Sequence, residues 1–145
     1  MQEANFQGIF DSLSKRLKDK RYHNKYNLGQ FISDLSRYPE DAEVIIYPFY
    51  LYPIDFDSYR GYYEDLSLSY STNPEHKLTA GELLQKAKEC INKNFEGYKG
   101  GSFQMDENSI IWLANYGETT NILLSGIRDR YNDGRTLELL YTKGE

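Results

Sequence analysis

The sequence predicts an α+β fold in which two to three helices pack beside an antiparallel sheet of about five strands. Two capping boxes predict helices, one beginning at Asn27 with Gln30 and one at Thr79 with Glu82. Runs rich in β-branched and aromatic residues predict strands at 43–49, 62–70, 110–115, 121–130 and 136–142. The Asp-Gly step within 130–136 predicts the hairpin turn that joins the last two strands.

Two further segments complete the expected organisation of residues 1–145 as a single domain. In residues 1–26, apolar side chains recur at helical spacing, and basic residues outnumber acidic ones six to three. This pattern predicts an N-terminal amphipathic helix whose basic outer face is either solvated or a contact for RNA or an acidic partner. Residues 50–61 contain a proline and a glycine and have no clean period, so they are expected to form a loop.

The composition excludes several classes of protein. Of the 145 residues, 39% are hydrophobic and 27% are charged, which excludes collagen, a disordered acidic tail and a disulfide-dense secreted module. The net charge of −5 disfavours binding to duplex nucleic acid, and no apolar run approaches the ~18 residues that span a bilayer. A cytoplasmic protein without membrane contacts is therefore expected, and its single cysteine, which cannot form an internal disulfide, agrees with this.

The placement of cysteine and histidine argues against metal and nucleophilic chemistry. The sequence contains no HxxxH, CxxC or EF-hand spacing, so neither a metal nor another cofactor is expected. Cys90 falls on the apolar stripe of the second predicted helix, with Leu83, Leu84, Ala87 and Ile91. It is therefore expected to be an inert core residue, and no catalytic residue is assigned.

Tyrosine is unusually concentrated in one part of the chain. Seven of the 14 tyrosines lie between residues 47 and 70, and Arg60 lies among them. Because a loop cannot bury so many phenols without partners for their hydroxyls, several are expected to line a surface. Aromatic faces beside an arginine suit a flat anionic ligand such as a nucleotide, and the same residue types dominate protein–protein hot spots. The residues leave both possibilities open.

Two other groups of residues could contribute to a site. A glycine-rich stretch surrounds Lys99, with Gly97, Gly100 and Gly101. It forms either a simple turn or a turn whose backbone N–H groups an anion can reach. The carboxylates of Asp55, Asp57 and Glu64 are either exposed or the acid–base groups of a small hydrolase. We retain the hydrolase as an alternative.

Three motifs, in order along the chain, resemble those of a group of small phage and prophage proteins. They are SYRGYY at 58–63, FEGYKGGSFQM at 95–105 and WLANYG at 112–117, and LGQFISDLSRYPEDAEV at 28–44 is similar to the usual start of that group. The resemblance covers about residues 28–117. It implies a phage context and, by analogy with accessory phage proteins, an anti-defence role such as sequestering the nucleotide signal of Thoeris or CBASS systems. It implies no residue roles.

The expected function is therefore a non-catalytic, homo-oligomeric protein that sequesters a small phosphorylated nucleotide, such as a cyclic one. Tyr59 and Phe103 are expected to stack on the base, Arg60 and Lys99 to contact phosphate, Asn115 to read a polar edge, and Tyr62 and Tyr98 to line the site. The alternative is an anti-defence inhibitor that binds a host defence protein through the tyrosine-rich loop.

Overall fold

A computed structural model describes residues 25–48 and 50–144 of the chain. These residues form eight β-strands and two α-helices, so the protein is mostly β and the expected α+β fold is wrong. The predicted basic helix at 1–26 falls outside the described residues except for its last two positions. Within the described ranges, no helix is long and apolar enough to cross a membrane.

The elements follow one another with short connections. The strands are β1 (Glu43–Ile46), β2 (Tyr52–Tyr59), β3 (Tyr62–Ser71), β4 (Asn94–Glu96), β5 (Ser102–Gln104), β6 (Ile111–Leu113), β7 (Ile122–Asp129) and β8 (Thr136–Lys143). The helices are α1 (Leu28–Leu35) and α2 (Ala80–Glu89), and a short 3-10 helix (Pro74–His76) precedes α2. The predicted turn at 130–136 is confirmed, since residues 130–135 connect β7 to its antiparallel neighbour β8.

Six strands form one mixed sheet in the order β1-β8-β7-β6-β3-β2, and β4 and β5 form a separate hairpin. The pairs β1–β8 and β3–β6 are parallel, which corrects the expectation of an antiparallel sheet of about five strands. The sheet nearly closes on itself, because the N–H of Ile46 at the end of β1 donates to the carbonyl of Leu51 just before β2, at 2.9 Å.

The expected loop at 50–61 is also wrong, since most of it is strand β2. Pro53 has no N–H to donate, but β2 lies at the end of the strand order, where a strand needs hydrogen bonds on one side only. A register shift between Pro53 and Asp55 interrupts the alternation of buried and exposed side chains. The interrupted alternation explains why the segment has no clean period in the sequence.

Both capping boxes are confirmed. The side chain of Asn27 accepts from the N–H of Gln30 at 2.9 Å, and the Gln30 side chain accepts from the N–H of Asn27 at 3.0 Å. Thr79 and Glu82 form the same reciprocal pair at the start of α2. Each box satisfies two N–H groups that the first turn of a helix leaves without partners.

The main hydrophobic core lies between the two helices and one face of the sheet. Its buried side chains come from α1, α2 and alternate strand positions, and they include Leu28, Phe31, Leu35, Leu83, Ala87, Cys90, Leu66, Leu68, Leu137 and Leu139. The opposite face carries a smaller buried cluster of Tyr59, Ile110, Trp112, Ala114 and Leu123. Because successive residues of a strand point to opposite faces, β6 contributes to both clusters.

The core position of Cys90 predicts an unreactive thiol. Its side chain is 2% exposed and its S–H donates to the carbonyl of Lys86 at 3.3 Å. Burial raises the pKa of the Cys90 thiol to about 12, so almost no thiolate is present near neutral pH. We expect the folded protein not to react with a disulfide reagent at pH 8, and the unfolded protein to react with one equivalent. Rapid stoichiometric labelling of the folded protein would contradict the buried position.

Candidate functional site

Three turns from separate parts of the chain meet at one place on the surface. Arg60 lies in the turn between β2 and β3, and its guanidinium carbon lies 4.5 Å from the centroid of the Tyr98 ring, in the β4–β5 turn. Arg60 Nη1 donates to the carbonyl of Gly117 at 3.1 Å, in the β6–β7 loop. The ring of Tyr116 meets Tyr98 edge-on, with centroids 5.6 Å apart. We call Arg60, Tyr98, Tyr116 and Gly117 the Arg60 cluster.

Gly117 allows these turns to approach. Its φ of +90° is rarely adopted by residues with a side chain, and a Cβ at this position would lie 2.7 Å from Tyr98 Cε1. The glycine therefore places its carbonyl under Arg60 while leaving room for the Tyr98 ring. Each of the three motifs contributes to this arrangement.

Buried aromatic residues support the cluster from beneath. Tyr59 stacks on Trp112 with ring centroids 4.7 Å apart, and the Trp112 indole N–H donates to Asp65 at 2.9 Å. The Tyr59 hydroxyl accepts from the N–H of Asn121 at 3.2 Å. Tyr59 is only 3% exposed, so it belongs to this support and does not present a ring to solvent. Tyr62, 5.9 Å from Trp112, is 41% exposed.

The glycine-rich turn folds over Phe103. A Cβ on Gly97 would lie 2.7 Å from the Phe103 ring, which also packs against Tyr63 at 5.1 Å. The N–H of Gly97 donates to Gly101, and the N–H of Gly100 donates to Gly97. These two N–H groups stabilise the turn itself, so the part of the turn offered to an anion is the exposed Lys99.

Asn115 is engaged in the fold. Its side-chain oxygen accepts from the N–H of Tyr70 at 2.9 Å, and its own N–H donates to the Glu118 carboxylate at 2.8 Å. These bonds connect the end of β3 to the β6–β7 loop that carries Tyr116. The structure thus places Asn115 behind the Arg60 cluster, as a residue that positions the loop.

Carboxylates lie on one side of the cluster. Asp55 is exposed and lies 3.7 Å from Lys86, whereas Asp57 is half-buried. Burial and the nearby charge of Asp55 raise the pKa of Asp57 above its ordinary value. Desolvation of the Tyr116 hydroxyl, together with the charges of Glu96 and Asp57, raises the pKa of Tyr116 above its ordinary value. No group of three or more metal-ligating side chains occurs in the described ranges.

Reasoning from the sequence missed the contributions of Tyr116, Gly117 and Trp112. All three lie within the WLANYG motif at 112–117, in which Asn115 alone was given a role from the sequence. The sequence signals were an aromatic residue followed by glycine, at 116–117, and the chain's one tryptophan. Of the predicted site residues, Arg60 and Tyr98 are in contact. Tyr62 and Lys99 are exposed, and in the sequence they lie next to or within two residues of this pair.

We expect Gly117→Ala to destabilise the protein by about 1–3 kcal/mol, because alanine is strained at a positive φ and its methyl group would collide with Tyr98. Gly126→Ala is the matched control, since no atom lies within 4 Å of a Cβ at that position. Urea denaturation of both variants measures the difference. Equal stability of the two variants would contradict the close contact between Gly117 and Tyr98.

We expect Asp57→Asn to stabilise the protein near pH 7. The raised pKa of Asp57 means that the folded state binds its proton more tightly than the unfolded state does, so ionisation favours unfolding as the pH rises. The stability gain should shrink as the pH falls and vanish below the ordinary Asp pKa of 3.8, where the carboxyl becomes neutral in both states. The control is Asp41→Asn, an exposed carboxylate in the turn before β1. A gain that is independent of pH would contradict this cause.

Comparison with known proteins gives no independent assignment. No protein-family model matches the chain, and neither a curated protein nor a solved structure matches it.

Proposed function

We propose that the protein is a non-catalytic binding protein that holds a small phosphorylated nucleotide at the Arg60 cluster. The observation that carries the proposal is an exposed arginine whose guanidinium is held in place by an aromatic ring and a carbonyl, with no carboxylate paired to it within residues 25–48 and 50–144. The proposed biological role is that of a phage anti-defence factor which sequesters a nucleotide signal.

Arg60 has the properties of a phosphate ligand. Its contact with Tyr98 and its bond to Gly117 fix the plane of the guanidinium, so less conformational entropy is lost when an anion binds. Only Nη1 donates a hydrogen bond within the described ranges, which leaves the other N–H groups for a bidentate contact with phosphate oxygens.

The exposed tyrosines supply surfaces for a base. Tyr62, Tyr98 and Tyr116 are each between 41% and 45% exposed. Stacking of a base on an aromatic side chain contributes about 1–3 kcal/mol. We assign the stacking role to these rings instead of Tyr59, and we assign the second cationic contact to Lys99 in the adjoining turn.

Binding without catalysis agrees with the chemistry of the neighbouring groups. The Cys90 thiol is buried in the core, and the imidazole of His76 lies 2.8 Å from Ser71 Oγ, outside the Arg60 cluster. Asp57 favours a hydrolase as the second candidate function, because its raised pKa is typical of a general acid and its charge acts on Tyr116. The phage context rests on the resemblance of the three motifs, and their convergence in space supports treating them as one site.

We expect Arg60→Ala to weaken nucleotide binding at least tenfold, which is about 1.4 kcal/mol, with little change in the melting temperature. Arg60→Lys should not restore affinity, because an ammonium group lacks the planar fork of a guanidinium. Calorimetric titration with a panel of cyclic mono- and dinucleotides measures the effect. The control is Arg37→Ala. Arg37 lies just after α1 and forms an exposed ion pair with Asp34 of that helix, at 3.7 Å.

Analysis of the protein purified from phage-infected cells separates the candidate functions. Native mass spectrometry should show bound mass, and denaturation should release an intact nucleotide. A cleaved nucleotide in the filtrate would favour the hydrolase, and a bound host protein without nucleotide would favour the protein-binding inhibitor. Unchanged nucleotide affinity of Arg60→Ala would remove the Arg60 cluster from the site.

A further inference from the structure

A second exposed aromatic surface lies on β7, β8 and the segment after β1. It consists of Tyr47, Tyr50, Arg128, Arg130 and Tyr131, and we call it the Arg128 surface. Arg128 is five residues beyond Leu123, the partner of Trp112, and therefore about 17 Å further along β7. The Arg128 surface is thus separate from the Arg60 cluster.

A buried glutamate organises this surface. Glu138 is 2% exposed and lies between the core residues Leu137 and Leu139, so its side chain points to the opposite face of the sheet. Its Oε1 accepts from Arg128 Nε at 2.9 Å, and its Oε2 lies 3.8 Å from Arg130 Nε. The carboxylate of Glu138 therefore binds Arg128 directly and forms a longer ion pair with Arg130.

The arginines are held against tyrosine rings. The guanidinium carbon of Arg128 lies 4.7 Å from the Tyr47 centroid, and that of Arg130 lies 5.3 Å from Tyr131 and 5.9 Å from Tyr50. The three tyrosines remain 42%, 63% and 64% exposed in the order Tyr47, Tyr50 and Tyr131. A preorganised group of tyrosine and arginine is the side-chain composition of a protein–protein hot spot.

The local charge identifies the occupant that this surface suits. Residues 128–138 contain three arginines and three acidic residues and are neutral, whereas the whole chain carries −5. Two copies of the chain that meet through this segment therefore bring together neutral stretches and not regions of like net charge. A nucleic acid would instead require basic side chains whose charge is not already compensated by a carboxylate such as Glu138.

The exposed area of the surface is also compatible with a protein–protein interface. The three exposed tyrosines contribute about 250–400 Å² if a whole ring side chain buries 150–250 Å². An open groove of about 480 Å³ adjoins them, lined by Tyr47, Pro48, Ser125, Leu140 and Tyr141. Together with Arg128 and Arg130, these residues supply a substantial part of the ~800 Å² per partner of a standard interface.

We propose that the Arg128 surface is the interface through which two copies of this chain form a two-fold dimer. In such a dimer the same patch is used by both copies, so the tyrosines of each copy pack against the groove and the arginine-bearing face of the other. The proposal does not depend on nucleotide binding, because the Arg60 cluster lies elsewhere on the sheet.

Sedimentation velocity of the full-length protein between 1 and 100 μM tests the proposal. We expect a dimer near 34 kDa, twice the chain mass of 17.0 kDa, for the wild type. The double variant Tyr50→Ser with Tyr131→Ser should dissociate at least tenfold more readily while keeping its circular dichroism spectrum. The matched control is Tyr98→Ser with Tyr116→Ser, which removes two exposed tyrosines from the Arg60 cluster and should leave the dimer intact.

Salt dependence separates a neutral interface from a charged one. We expect the dimer dissociation constant to change less than threefold between 50 and 500 mM NaCl, because residues 128–138, which carry both arginines, have no net charge. A monomeric wild type at 100 μM would overturn the proposal, as would a dimer lost only in the Tyr98→Ser, Tyr116→Ser control. Binding of a fluorescent single-stranded oligouridine that the Tyr50→Ser, Tyr131→Ser variant abolishes would assign the surface to nucleic acid instead. Nucleotide titration of the same variants reports separately on the Arg60 cluster.

Discussion

The double burial of β6 is the constraint on which the rest of the structure depends. This strand has three residues, and it pairs with β3 on one side and β7 on the other. Ile111 and Leu113 join the main core beneath the helices, while Trp112 joins the cluster on the other face. A shift of one residue would put Trp112 into the main core and Ile111 and Leu113 into the smaller cluster, where their sizes would not match the space. The register of β6 therefore fixes the position of Trp112, whose stack with Tyr59 supports the Arg60 cluster.

Local signals in the sequence predicted the parts of the fold that local chemistry determines. The capping boxes at Asn27 and Thr79 and the turn at 130–136 were predicted because their hydrogen bonds join residues a few positions apart. The parallel pairing of β1 with β8 joins segments about 90 residues apart and leaves no local pattern. Strand β2 was missed because Pro53 and a register shift disguise it, and β4 and β5 are three residues each. The α+β prediction failed for these reasons.

The candidate site was predicted in part. Arg60 and Tyr98 were both singled out, and they are in direct contact. Tyr59 and Asn115 are of residue types that can bind a ligand. In this fold, however, Tyr59 stacks on Trp112, and Asn115 makes hydrogen bonds to Tyr70 and within the β6–β7 loop. Sequence patterns show which residues can bind a ligand but not which face of a strand a neighbouring element covers. That information comes only with the topology of the sheet.

The near-closure of the sheet has a consequence for self-templated aggregation. β1 and β2 are the two ends of the strand order, where an open sheet would present unpaired backbone groups to other chains. At β1, Glu43 forms a bridge with Thr79 and Ile46 forms one with Leu51. At β2, Pro53 removes a donor from the ladder. A strand from another molecule therefore finds fewer free backbone groups at the ends of this sheet, which disfavours fibrillar growth by strand addition.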